Sequence, residues 1–209
     1  MIGIYGGTFD PVHYGHLRTA LDVQQALGLE QVRFVPCAQP VHRGQPGVSA
    51  AERLQMLRLA LADQAEFVVD DRELGRQGPS YMVDTLKSIR AEVGQQTLIL
   101  VIGADAFKHL GSWYQWQSLF DYAHVLVMSR PGSSHRIETE QEFLNEKLTE
   151  NREDLSAATN GHLYFQDVTR LDISATRIRQ MIAEKQSPRF LLPDAVIEFI
   201  DSHQLYKDD

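Results

Sequence analysis

The sequence predicts an α/β fold, a doubly wound, mainly parallel sheet with helices closing its C-terminal end. Three observations carry that expectation. Strand-like and helix-like segments alternate along most of the chain, as they do when crossover helices cover a parallel sheet. The segment Thr97–Gly103 has an uninterrupted apolar run from Leu98 to Ile102, the pattern of a central strand buried on both faces. The junctions Gly6–His16, Gly103–Asp105 and Met128–Arg130 all fall at strand ends, where such sheets hold their ligands.

The elements follow in order. Ile2–Gly6 reads as the first strand, and Gly15 to Leu27 as a helix that Gly28 closes. Val32–Pro36 is the second strand, cut off by its proline. Ser49 followed by Glu52 three residues later is a capping-box start, and Arg53, Met56, Leu57 and Ala60 recur at helical spacing behind it. Phe67–Val69 is the third strand. Gly78-Pro79-Ser80 introduces a helix from Tyr81 to Val93, and Thr97–Gly103 is the fourth strand. Helical turns follow at Ala104–His109 and Trp116–Asp121, then the strand His124–Met128, which Arg130-Pro131-Gly132 ends. Residues 132–161 are polar and charge-rich, read as solvated loop with one amphipathic helix near Glu138–Leu148. Leu163–Gln166 is a last strand, and Ser174–Ala183 and Asp194–His203 are the closing helices.

Length and charge narrow the function classes. The chain has 209 residues with 43% hydrophobic content, enough for a buried core and fitting one domain over 1–209. A formal net charge of −8 argues against sequence-independent binding to DNA or RNA, which needs a basic surface. One cysteine, Cys37, cannot form an internal disulfide, as expected in a reducing compartment. With no signal-peptide pattern and no span-length apolar run, a cytoplasmic protein is expected.

The segment Gly6-Gly7-Thr8-Phe9-Asp10-Pro11-Val12-His13-Tyr14-Gly15-His16 leaves a strand through two glycines and enters a helix. Glycines let backbone approach a ligand, and a helix start offers unpaired N–H groups and a positive dipole end to phosphate. His13 and His16, three apart, fall on one face of the first turn. Both rings can donate to a phosphate oxygen and, as imidazolium, neutralise its charge. Asp10-Pro11 reads as a turn device. Near the other end, Ile173-Ser174-Ala175-Thr176-Arg177-Ile178-Arg179 pairs an N-cap serine with an arginine fork, a second anion clamp. Two clamps facing one polyphosphate can stabilise a transferring α-phosphoryl group and its departing pyrophosphate.

Together the two segments resemble the nucleotidyltransferase superfamily that includes pantetheine-phosphate adenylyltransferases and cytidylyltransferases. Within it the chain is similar to the bacterial nicotinate-nucleotide adenylyltransferase family through most of its length. Pro79-Ser80-Tyr81 with Thr85 and Leu86, Ile102-Gly103-Ala104-Asp105, Trp113-Tyr114, Arg130-Pro131-Gly132 and Leu192-Pro193 carry the narrower likeness. Pro40-Val41-His42-Arg43 departs from the family's Pro-Pro-His, which blurs the course of that loop.

The resemblance implies a Rossmann-like nucleotidyltransferase fold and a transfer of the adenylyl group of ATP to nicotinate mononucleotide. It assigns ATP to Gly6, Gly7, Thr8, Phe9, His13, His16, Gly103, Asp105, Ile173, Ser174, Thr176 and Arg179. His13, His16 and Arg179 would be catalytic, with His16 at the α-phosphate, Arg179, Ser174 and Thr176 at the β and γ phosphates, and Asp105 at the ribose. Mg²⁺ would ride on the ATP phosphates with no metal site in the protein, Asp105 being the runner-up ligand. For the mononucleotide the likeness points to Trp113 stacking on the pyridinium, Thr85 and the backbone near Tyr114 at the carboxylate, and Arg130, His42 and Arg43 at the phosphate. Trp116 is expected to be core. The implied partners are these two nucleotides, without nucleic acid or membrane, acting on a monomer or small homo-oligomer. Rival readings are the same transfer to nicotinamide mononucleotide or phosphopantetheine, and a sensor that binds nucleotide without turnover.

Overall fold

The computed structural model describes residues 1–39, 46–129, 142–169 and 171–207. Six strands, β1 (Ile2–Gly7), β2 (Gln31–Pro36), β3 (Phe67–Val69), β4 (Leu98–Gly103), β5 (His124–Ser129) and β6 (Leu163–Asp167), form one sheet in the order β3-β2-β1-β4-β5-β6. All five pairings are parallel, so the sheet expected to be mainly parallel is wholly so among the described residues. The order reverses direction between β1 and β4, and that crevice is where a doubly wound sheet receives its ligand.

Alternation along each strand feeds two cores. On one face Tyr5, Phe34, Ile99, Val101 and Leu126 pack under α1 (Tyr14–Leu27), α2 (Ala50–Leu61), α7 (Ala175–Ala183) and α8 (Asp194–Ser202). On the other, Ile2, Ile4, Leu98, Leu100 and Val125 lie under α3 (Met82–Val93) and two 3-10 turns, Leu110–Ser112 and Trp116–Asp121. β4 is buried on both faces from Leu98 to Ile102, as its apolar run demands. The short α4 (Ala104–Lys108) continues from its end.

Local signals set the helix ends. Gly28 takes a left-handed φ of 62° and returns its N–H to the Gln24 carbonyl, closing α1. Ser49 and Glu52 cap α2 reciprocally, at 2.8 Å from the Ser49 N–H to Glu52 Oε2 and 3.2 Å from the Glu52 N–H to Ser49 Oγ. In the charge-rich stretch, α5 (Glu142–Lys147) falls within the helix expected near Glu138–Leu148, whose residues 138–141 lie outside the described residues. A second short helix, α6 (Glu153–Ala157), stands where loop is expected. Leu144 and Leu155 are buried, so part of this stretch is packed on the core rather than solvated. Among the described residues no helix is long and apolar enough to cross a membrane.

Candidate active site

β1 ends at the crevice, and everything expected of the first clamp hangs from that end. Phe9 turns the chain with a φ of 49°, a region L residues rarely adopt, and buries its ring to 2% exposure. That ring meets His16 edge-on at 5.2 Å. His13 and His16 are stacked with centroids 3.8 Å apart and planes 27° from parallel. The two rings predicted to share one face of a first turn therefore touch. Gly15 makes this possible: a Cβ there would stand 2.9 Å from both Cε1 and Nδ1 of His13.

The protonation pattern follows from the contacts. The His13 backbone N–H donates to His16 Nδ1 at 3.3 Å, so the neutral His16 ring carries its proton on Nε2. His13 is buried and its Nδ1 lacks a hydrogen-bond partner. Burial pushes its pKa down to about 4, so near pH 7 this ring is neutral. Of the two states open to the ring from sequence, desolvation leaves His13 the hydrogen-bonding group rather than the cation. The helix start is also less open than the motif suggests, since the Tyr14 N–H already donates to the Leu191 carbonyl at 2.9 Å.

The second clamp lies against the first. Ser174 caps α7 by accepting the Arg177 N–H at 3.2 Å. The Ile173 carbonyl would be 3.5 Å from a Cβ on Gly15, which puts the start of α7 beside the start of α1. Arg179 donates from Nη1 to the Asp10 carbonyl at 2.7 Å, and its Nη2 stands 3.5 Å from Thr176 Oγ1. Asp10, read from sequence as a turn device, is a buried junction. Its Oδ1 accepts from the Tyr206 hydroxyl at 2.7 Å and its Oδ2 from the Gly47 N–H at 2.8 Å. Arg53, 1% exposed, donates to the Thr8 carbonyl at 2.7 Å and leaves its Nε without a partner. Arg53, Gly47 and Tyr206 line a cavity of about 850 Å³ with Gln39, Ser49 and Glu52.

On the opposite side of β1, Met82 at the start of α3 lies so close to Gly6 that any side chain there would strike its methyl group. Here one expectation changes. Thr85 is fully buried and donates its hydroxyl to Glu73 Oε1 at 2.5 Å, while its own Oγ1 accepts from Arg76 Nη2 at 3.3 Å. The Thr85 side chain is thus bound inside the wall and offers no free donor to a nicotinate carboxylate. Ser80 Oγ accepts the Ala38 and Gln39 N–H groups at 3.1 and 3.2 Å, tying the loop after β2 to this side. Gly103 caps α4, and Asp105 next to it has its side chain 95% exposed. Trp113 is half-buried against the core beside α3. Tyr114 is half-exposed, its ring 4.5 Å from that of Tyr81. Trp116 packs edge-on against Phe143 at 5.3 Å. His42, Arg43 and Arg130 lie outside the described residues. Among the described residues no cluster of three His, Cys, Asp or Glu side chains is arranged to hold a metal ion.

A family model described as cytidylyltransferase-like matches residues 4–181. A Methylococcus capsulatus protein named "Probable nicotinate-nucleotide adenylyltransferase" is 50% identical over 99% of both chains. A Pseudomonas entomophila protein of the same name is 47% identical over 99% of this chain and 94% of its own. The chain belongs to the cytidylyltransferase-like family, among the nicotinate-nucleotide adenylyltransferases. The Plasmodium falciparum nicotinic acid mononucleotide adenylyltransferase complexed with NaAD superposes with a TM-score of 0.73 over 98% of this chain and 96% of that one. At 18% identity that likeness speaks for the fold alone. A nucleotidyltransferase of this family has to grip a polyphosphate at its α-phosphorus and orient an incoming phosphate monoester. The crevice at the end of β1, with its stacked histidines and the arginine of α7, has the groups for the first task.

Several members of the site were not singled out from sequence. Gly47 and Tyr206 bond Asp10, which was read only as a turn device, Arg53 bonds the neighbouring Thr8 carbonyl, and Glu73 supports Thr85. The one available signal was Arg53, a charged residue at a core-facing position of an otherwise apolar helical stripe.

Proposed function

We propose that this chain transfers the adenylyl group of ATP to nicotinate mononucleotide, giving nicotinate adenine dinucleotide and pyrophosphate, with residues 1–209 acting as one nucleotidyltransferase domain. The observation that carries this reading is the meeting of the two clamps. The stacked His13–His16 pair and Arg179 come from opposite ends of the chain and adjoin through Asp10, Gly15 and Ile173.

The mononucleotide phosphate is an anionic nucleophile near neutral pH, so the reaction needs no general base and no covalent intermediate. One of its oxygens forms a bond to the α-phosphorus in line. The bond from that phosphorus to the bridging oxygen breaks, and its electron pair leaves with pyrophosphate. The protein's contribution is placement and charge stabilisation. His16, its proton on Nε2, donates to the α-phosphate as charge builds there, and neutral His13 adds a second ring at the same phosphates. Arg179, with Ser174 and Thr176, holds the β and γ phosphates. The nucleotide enters as MgATP, the ion keeping most of its water ligands. Gly103 and Asp105 serve the adenosine side. Trp113 stacks on the pyridinium, and Arg130, His42 and Arg43 serve the mononucleotide phosphate. With the Thr85 hydroxyl bonded to Glu73, preference for the acid over the amide rests on backbone N–H groups near Tyr114.

The test is ATP-dependent pyrophosphate release with nicotinate mononucleotide, nicotinamide mononucleotide and phosphopantetheine offered in turn. Release fastest with nicotinate mononucleotide is the expected outcome. ATP binding without release for any acceptor would establish a nucleotide sensor instead.

A further inference from the structure

We propose that Tyr206 is a positioning residue for the transfer: its hydroxyl fixes the Asp10 carboxylate, and Asp10 holds Arg179 where it meets the ATP phosphates. This rests on the reading of Arg179 as the phosphate-holding arginine.

The geometry is that of a clamp with a defined hub. Asp10 is 6% exposed, and each of its carboxylate oxygens receives a separate donor, Tyr206 Oη on Oδ1 and the Gly47 N–H on Oδ2. Two donors on two oxygens fix the plane of the group. Arg179 then docks on the same residue, with Nη1 2.7 Å from the Asp10 carbonyl and 3.6 Å from Oδ2. An unanchored arginine side chain has several rotatable bonds and many rotamers. Pinned by one nitrogen, it keeps the rest of its fork directed for a second anion.

The tail is shaped for this contact. Gln204 and Tyr206 take left-handed φ values of 54° and 59°, which side chains other than glycine adopt only when the surroundings impose them. Between them Leu205 is buried in the core. A Cβ on Gly47 would stand 3.2 Å from Tyr206 Cε1 and 3.4 Å from Arg179 Cδ, so a glycine lets ring and arginine stem pass together. Burial and the neighbouring Asp10 raise the Tyr206 hydroxyl well above the ordinary phenol range. It therefore stays protonated and remains a donor throughout the working pH range.

A tail that only completes the core would need the ring and Leu205 but not the hydroxyl. The deciding experiment is a double-mutant cycle of Tyr206→Phe with Arg179→Ala. It reads kcat/KM for ATP, KM for nicotinate mononucleotide and the melting temperature. Tyr206→Phe is expected to lower kcat/KM for ATP about tenfold, with little change in KM for the mononucleotide. The same change made on Arg179→Ala should have no further effect, because the group it positions is gone. Gly47→Ala crowds the ring and the arginine stem without removing a polar group, and its loss should likewise vanish on Arg179→Ala. Wild-type kinetics for Tyr206→Phe, or an equal loss in both backgrounds, would overturn the positioning role. Failure of the wild-type chain itself to release pyrophosphate would instead overturn the reading beneath it.

Discussion

In the proposed transfer His16 meets the developing charge with one ring nitrogen, because the other accepts the His13 N–H. Its removal deletes a donor that acts mainly in the transition state. His16→Ala should lower kcat by roughly 10²–10³ while circular dichroism reports an unchanged fold. Ordinary turnover in a folded variant would exclude the role. If Trp113 stacks as proposed, its face serves either pyridinium, and Trp113→Ala should weaken nicotinate and nicotinamide mononucleotides by similar factors, read as kcat/KM for both. Thr85 belongs to a different kind of experiment. Glu73 is 3% exposed and accepts the Thr85 hydroxyl hydrogen bond, so Thr85→Val leaves a buried carboxylate short of a donor. The expected loss is about 1–3 kcal/mol of stability, restored in Thr85→Ser and measured by denaturant unfolding.

At the scale of elements, the first turn of α1 works because Gly15 lies under the His13 ring. Gly15→Ala places a methyl 2.9 Å from two ring atoms, so the ring must move and the stacked pair must open. Turnover should fall by about tenfold with the helix retained, which steady-state kinetics beside a thermal melt would show. The elements themselves were largely legible. β4 announced itself by an apolar run, α2 by its capping box, and α1 by the glycine that ends it, because each of those signals is local. The two segments read as anion clamps stood out for the same reason, as each is short and local. The partners of Asp10, Arg53 and Tyr206 were not legible: they lie tens to nearly two hundred residues away, and no periodicity encodes such a contact. The partner of the Thr85 hydroxyl was hidden because nothing near it in sequence reveals Glu73 as the acceptor. The charged stretch hid α6, a helix too short to show a clear apolar period.

The whole molecule carries a pH dependence from two buried imidazoles. His13 and His124 are each held down to about 4 by burial. His124 also accepts the His162 N–H at 3.0 Å on Nδ1 and faces the Ala158 carbonyl at 3.1 Å with Nε2. Between pH 6.5 and 4 the unfolded chain binds protons that the native chain refuses, so stability rises with pH across that window. It is complete above about 6.5 and lost as pH falls toward 4, by up to about 3 kcal/mol per histidine. Urea unfolding midpoints from pH 7 to 4 should show this slope, and His124→Gln should flatten it by about one proton. Across the same whole, the hub at Asp10 joins positions 10, 47, 179 and 206. A chain made from its N-terminus can begin pairing β1 with β2 once about forty residues are free. It cannot complete the hub until its 206th residue has left the ribosome. The loop that leaves β1 is therefore finished only after residue 206 has emerged, long after the strand it follows has begun to pair.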